Sequence, residues 1–127
     1  RRQFLTALLE VVSDSRRTIL FSTHIVSDLE RVADRVVFLS AGRVAFHGGL
    51  DELKETVKRL HLSAGRPFES DFDLPGRLRK QIAGHEALVS VRMPTPEVLA
   101  SLERDYDARI QVEDLSLEDI FLEMQDA

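Results

Sequence analysis

The sequence predicts an α/β protein: a layer whose sheet ends in an antiparallel edge, followed by a small α+β unit with a mainly antiparallel or mixed sheet. Three observations predict it. Short β-branched and aromatic runs at Thr18–Thr23 and Arg35–Ser40 alternate with stretches in helical period. Ala41-Gly42 then makes a tight turn into Arg43–His47, as in a hairpin. Beyond Lys58 the texture changes to prolines, acids, and strands alternating with helices.

The elements follow in order. Phe4, Leu5, Leu8, Leu9 and Val12 form the apolar stripe of a helix over about Arg2 to Ser13. A helix already in step at the fourth residue, with no start signal before it, is expected to be cut from a longer chain. Thr18–Thr23 has apolar residues on both faces, as in a buried parallel strand. A second helix carries Ile25, Val26, Leu29, Val32 and Ala33, with Ser27 and Glu30 at capping-box spacing. Arg35–Ser40 and Arg43–His47 form the hairpin, and Gly48-Gly49 breaks it. Leu50, Leu53 and Val57 predict a helix from about Asp51 to Val57.

The remainder, 58–127, is expected to be a small α+β unit distinct from 1–57. Arg59 to Ala64 reads as a strand with Leu60 and Leu62 inward, and Gly65 to Gly76 as a loop. Leu74, Leu78 and Ile82 predict a short helix, Ala87 to Arg92 a strand, and Val98, Leu99, Leu102 and Tyr106 a helix begun near Pro94 and Pro96. Ala108 to Glu113 is a further strand. Ser116 caps a last helix bearing Leu117, Ile120, Phe121 and Met124.

Composition excludes several functions. The 127 residues are 43% hydrophobic and 31% charged, enough for a core. No apolar run approaches the ~18 residues of a spanning helix. The charge is −5 and the basic pairs are scattered, so nucleic acid is not an expected partner. The absence of cysteine removes disulfides, thiol nucleophiles and thiolate metal sites.

The candidate for chemistry is His24, at the expected carboxyl end of the Thr18–Thr23 strand, where open α/β sheets place their ligands. An imidazole there donates from one nitrogen to an anionic oxygen. Thr18-Ile-Leu-Phe-Ser-Thr-His24, Ser27-Asp-Leu-Glu30, Ala33-Asp-Arg-Val-Val-Phe-Leu39 and Gly42-Arg-Val-Ala-Phe-His-Gly48 together resemble the stretch after the Walker B strand of ABC-transporter ATPases. Leu115-Ser-Leu-Glu-Asp-Ile-Phe-Leu122 resembles the ending of ATPase subunits of ABC-2-type exporters.

The resemblance implies the C-terminal part of a P-loop ABC ATPase sheet followed by a small α+β accessory domain. It implies that His24 is the H-loop residue, contacting the γ-phosphate and attacking water of ATP bound with Mg²⁺ in the intact parent. It further implies a homodimer of ATPase subunits driving a transmembrane permease from the cytoplasmic face of the membrane. Other motifs of that family are missing. No Gly-Lys occurs, since Lys54, Lys58 and Lys80 follow Leu53, Val57 and Arg79, so there is no phosphate-cradling P-loop. Gly48-Gly49 is not part of a signature motif. Leu50-Asp51-Glu52 imitates a Walker B ending, but its spacing to Leu53 and Val57 is helical, so the acids belong to a helix's first turn.

The fragment alone is therefore expected to bind neither ATP nor Mg²⁺ and to be inactive, and its bared sheet edges are expected to invite dimerisation. His61 and His85 have no metal-ligand spacing, and Arg43 and His47 read as hairpin surface. Glu69, Asp71 and Asp73 lack the glycine and terminal glutamate of a calcium loop and read as a solvated loop.

Overall fold

The computed structural model describes residues 6, 7, 10, 11, 18–20 and 22–125. Thr6, Ala7, Glu10 and Val11 are helical, and the apolar stripe predicted for that helix lies outside the described residues. The first complete element is a single-turn helix, α1, at Val26–Leu29. Strands β1 (Arg35–Ser40) and β2 (Arg43–Gly49) pair antiparallel. Ala41 and Gly42 take φ values of 51° and 76°, the two left-handed positions of the tight turn that matches strand twist. Helix α2 (Leu50–Thr56) follows at once, with Asp51 and Glu52 in its first turn. Their carboxylates face the positive end of the helix, which is what the sequence reading assigned to Leu50-Asp51-Glu52.

The second sheet has the order β4-β5-β3-β6, with every neighbouring pair antiparallel. Its strands are β3 (Val57–Ser63), β4 (Arg77–Ala83), β5 (Glu86–Arg92) and β6 (Arg109–Asp114). Helix α3 (Pro96–Tyr106) lies between β5 and β6 in the chain; the Thr95 hydroxyl accepts from Val98 N at 3.2 Å and caps its start. Helix α4 (Leu117–Gln125) closes the fold, with Ser116 Oγ accepting from Asp119 N at 3.2 Å. The architecture is mixed α/β with antiparallel sheets, as the sequence predicted.

Three expectations about these elements need correction. Gly48-Gly49 does not break the hairpin after His47: β2 runs through both glycines, which pair with Val36 and Arg35, because the ladder needs only their backbone groups. Thr18–Leu20, Ser22 and Thr23 are not in a strand, and Leu20 is 95% exposed. A parallel strand exists only through its ladder partners, and among the described residues none lies alongside. The helix expected on Leu74, Leu78 and Ile82 is instead strand β4, paired with β5. A spacing of four fits both periods, because an even step returns to the same face of a strand. Pairing across the Gly84-His85 turn decides the matter, joining Ala83 to Glu86.

The buried side chains form two cores. One joins Val26, Val36, Phe38, Leu50, Leu53 and Val57 to Leu115, Leu117 and Ile120. The other lies between the four-stranded sheet and α3, and it includes Leu60, Leu62, Val89, Val91 and Leu102. Phe68 and Phe72 from the 65–76 loop join it, with ring centroids 4.8 Å and 5.3 Å from Tyr106. Helix α2 runs directly into β3 at Thr56-Val57, and the first core draws on residues from both sides of that junction.

Candidate functional site

His24 stands exposed at a bend one residue before the N-cap of α1. The bend is set locally: Thr23 Oγ1 accepts from Ile25 N at 2.9 Å, turning the chain into the helix. Val26, two residues beyond His24, is buried in the first core and fixes one end of the turn. The imidazole thus projects from an anchored backbone and is open to an anionic oxygen. The sequence placed His24 at the tip of a buried strand; the structure places it at a loop-to-helix bend.

The capping box expected from Ser27 and Glu30 does not form, because the N-cap of α1 is Ile25 and no side chain caps it. Glu30 works at a distance instead. Its Oε1 accepts from the Leu117 amide at the start of α4, and its Oε2 lies 3.6 Å from Lys54 Nζ on α2. The segment after His24 is thereby joined to two other helices.

His61, His85, Glu69 and Asp73 have structural partners. His61 Nε2 lies 2.7 Å from Glu113 Oε1, and that contact, with Arg59 nearby, lowers the Glu113 carboxyl below its ordinary range. His85 Nδ1 lies 3.2 Å from Ala64 O. His47 and Arg43 are on the exposed hairpin surface. Asp73 is held below the usual carboxylate range, chiefly by the Arg77 guanidinium at 2.7 Å. Among the described residues, no group of His, Cys, Asp and Glu could hold a metal ion.

Sequence reading missed a polar cluster beneath α4. Glu123, only 9% exposed, accepts from Arg59 Nη2 at 2.7 Å and from Ser90 Oγ at 2.9 Å. Burial of this carboxylate is tolerable because charged and neutral donors meet both of its oxygens. Its only signal was a position three residues past Ile120, on the buried side of the helix.

The chain is 28% identical over 123 residues to an uncharacterised ABC transporter ATP-binding protein of Nostoc sp., covering 82% of this chain and 36% of that protein. It is 34% identical over 85 residues to the ABC-type transporter ATP-binding protein EcsA of Bacillus subtilis, covering 65% of this chain and 32% of EcsA. Over 85 residues it is 32% identical to the molybdenum import ATP-binding protein ModC of Yersinia pestis, covering 67% of this chain and 22% of ModC. No protein-family model and no solved structure matches. The chain is thus related to ABC transporter ATP-binding proteins, of which it spans about a third of the length or less in these three.

Proposed function

We propose that the chain is the C-terminal portion of the ATP-hydrolysing subunit of an ABC transporter that powers export through a separate membrane permease. The observation that carries this reading is the run Thr18–His24 turning at an exposed histidine into an anchored helix, in a chain whose relatives are ABC ATP-binding proteins. The reading of His24 stands on the sequence pattern and on that bend, no longer on a strand end. The export direction rests on the resemblance of Leu115–Leu122 to ABC-2-type endings, against which stands a relative named for molybdenum import.

In the proposed whole protein, residues outside this stretch cradle ATP and its Mg²⁺, and two subunits close over the nucleotide. His24 donates a hydrogen bond to a γ-phosphate oxygen and orients the attacking water. Its contribution is positional and electrostatic, with no covalent step. The subunit would sit on the cytoplasmic face of the membrane against the permease. Among the described residues, no helix is long and apolar enough to cross a membrane. Residues 58–127 form the proposed accessory domain.

His24→Ala in the ATP-hydrolysing protein is expected to lower kcat by about a hundredfold with KM little changed. The 127 residues alone are expected to give no calorimetric signal with Mg-ATP. A micromolar ATP site on this chain, or full turnover by His24→Ala, would overturn the reading. A second reading, a regulatory or dimerisation module without ATPase function, is favoured by one observation. The outer face of the hairpin bares Val37, Leu39 and Val44, at 56%, 66% and 56% exposure.

A further inference from the structure

We infer that Glu30 is a positioning residue for His24, acting through the last helix. Its consequence for turnover rests on the proposed role of His24; the contact itself rests on geometry. The first-turn amides of α4 have no partners within the helix. Ser116 Oγ takes the Asp119 amide at 3.2 Å, while the carboxylate of Glu30, 87 residues earlier, takes the Leu117 amide. A negative group is favoured at this end of a helix by the peptide dipoles as well as by the hydrogen bond. Lys54 Nζ, 3.6 Å from the other oxygen, holds the carboxylate from the α2 side.

Glu30 is the C-cap residue of α1, and α1 has only four residues and no side-chain N-cap. A single turn does not sustain itself, because nucleation costs more than one hydrogen bond returns. The place of α1 is therefore set by what it touches. Val26 is buried with Leu117 and Ile120, and Glu30 caps the helix that carries them. These two contacts bracket α1, the first lying two residues past His24. At its far end α4 is fixed to the four-stranded sheet by Glu123, through Arg59 on β3 and Ser90 on β5. A continuous path thus runs from the sheet through α4 to the backbone that presents the imidazole. The accessory unit sets where His24 stands.

Two variants test the inference. Glu30→Gln keeps an acceptor oxygen and the side-chain shape, and Glu30→Ala removes both. In the 127-residue chain, amide exchange followed by NMR is expected to quicken about fivefold at Leu117 and across α1 in Glu30→Ala. The change in Glu30→Gln is expected to be smaller, with β3, β5 and β6 unaffected in both variants. The His24 ring resonances are expected to shift in step, which a loss of packing elsewhere would not cause. Exchange unchanged at both helices, or quickened equally through the sheet, overturns the inference.

Turnover of the ATP-hydrolysing protein that contains this chain separates the two ideas. Glu30→Ala is expected to lower kcat with KM nearly constant, and Glu30→Gln to restore part of it. If His24→Ala lowers kcat and Glu30→Ala does not, the positioning role is overturned alone. If His24→Ala itself has no effect, the proposed role of His24 falls, and with it the consequence drawn for Glu30.

Discussion

At the scale of single residues, Glu69 illustrates how an acid in a loop acquires a structural task. The Tyr106 hydroxyl donates to Oε2 at 2.6 Å and the Arg66 guanidinium to Oε1 at 2.9 Å. These contacts, Tyr106 first, hold the carboxyl at about 2, against an ordinary value of 4.5. The folded-state value is the lower one, so the stabilisation is complete above about 4.5 and is lost as the pH falls through about 2. Tyr106→Phe keeps the ring stacked on Phe68 and removes the donor. Its urea midpoint is expected to fall less steeply than that of the unmodified chain as the pH is lowered from about 5 to about 2. Equal slopes would mean that the hydroxyl contact does not form in solution. The acid looked solvated in the sequence because its partner is 37 positions away.

At the scale of elements, β4 depends on its two turns. Gly76, at φ +79°, precedes it, and a Cβ there would lie 2.4 Å from Arg92 O on β5. Gly84, at φ +62°, follows it, and a Cβ there would meet nothing within 4 Å. Both substitutions force alanine into the left-handed region, at a cost of about 1 kcal/mol. Gly76→Ala must also push two strand backbones apart and is expected to cost about 3 kcal/mol. Thermal unfolding of the two variants distinguishes them: a clearly larger fall in Tm for Gly76→Ala is the expected result, and equal falls would refute the close approach. The same strand marks a limit of pattern reading. Leu78 and Ile82 are four apart and satisfy helix and strand alike, and the Gly84-His85 turn with β5 beyond it settles the choice.

Across the whole molecule, α4 is the clasp. Leu117 and Ile120 are fully buried in the core that holds the hairpin and α2, while Glu123 bonds to the sheet of the other core. The hairpin beneath this clasp is finished on one face only. Val36 and Phe38 point to the core, and Val37 and Leu39 alternate outward. Those outward residues are as apolar as the inward ones, which is costly unless something covers them. Light scattering of the chain is therefore expected to reveal concentration-dependent association. The double substitution Val37→Lys with Leu39→Lys is expected to abolish it without unfolding the hairpin. A strictly monomeric chain at high concentration would count against this and against the dimerisation reading.

The sequence by itself determined the elements whose causes are local. Ala41-Gly42 requires left-handed backbone and makes the hairpin, Thr95 and Ser116 cap their helices, and the periodic apolar residues of α2, α3 and α4 point inward. It also singled out His24 by its neighbours in the chain. Only the tertiary structure decided what depends on a distant partner. It turned Arg77–Ala83 from helix to strand, left Thr18–Leu20, Ser22 and Thr23 without a ladder partner among the described residues, and gave Glu30 to a helix far along the chain instead of its own. A hydrogen bond between remote residues leaves no period or spacing behind it, because its geometry exists only after the intervening chain has folded.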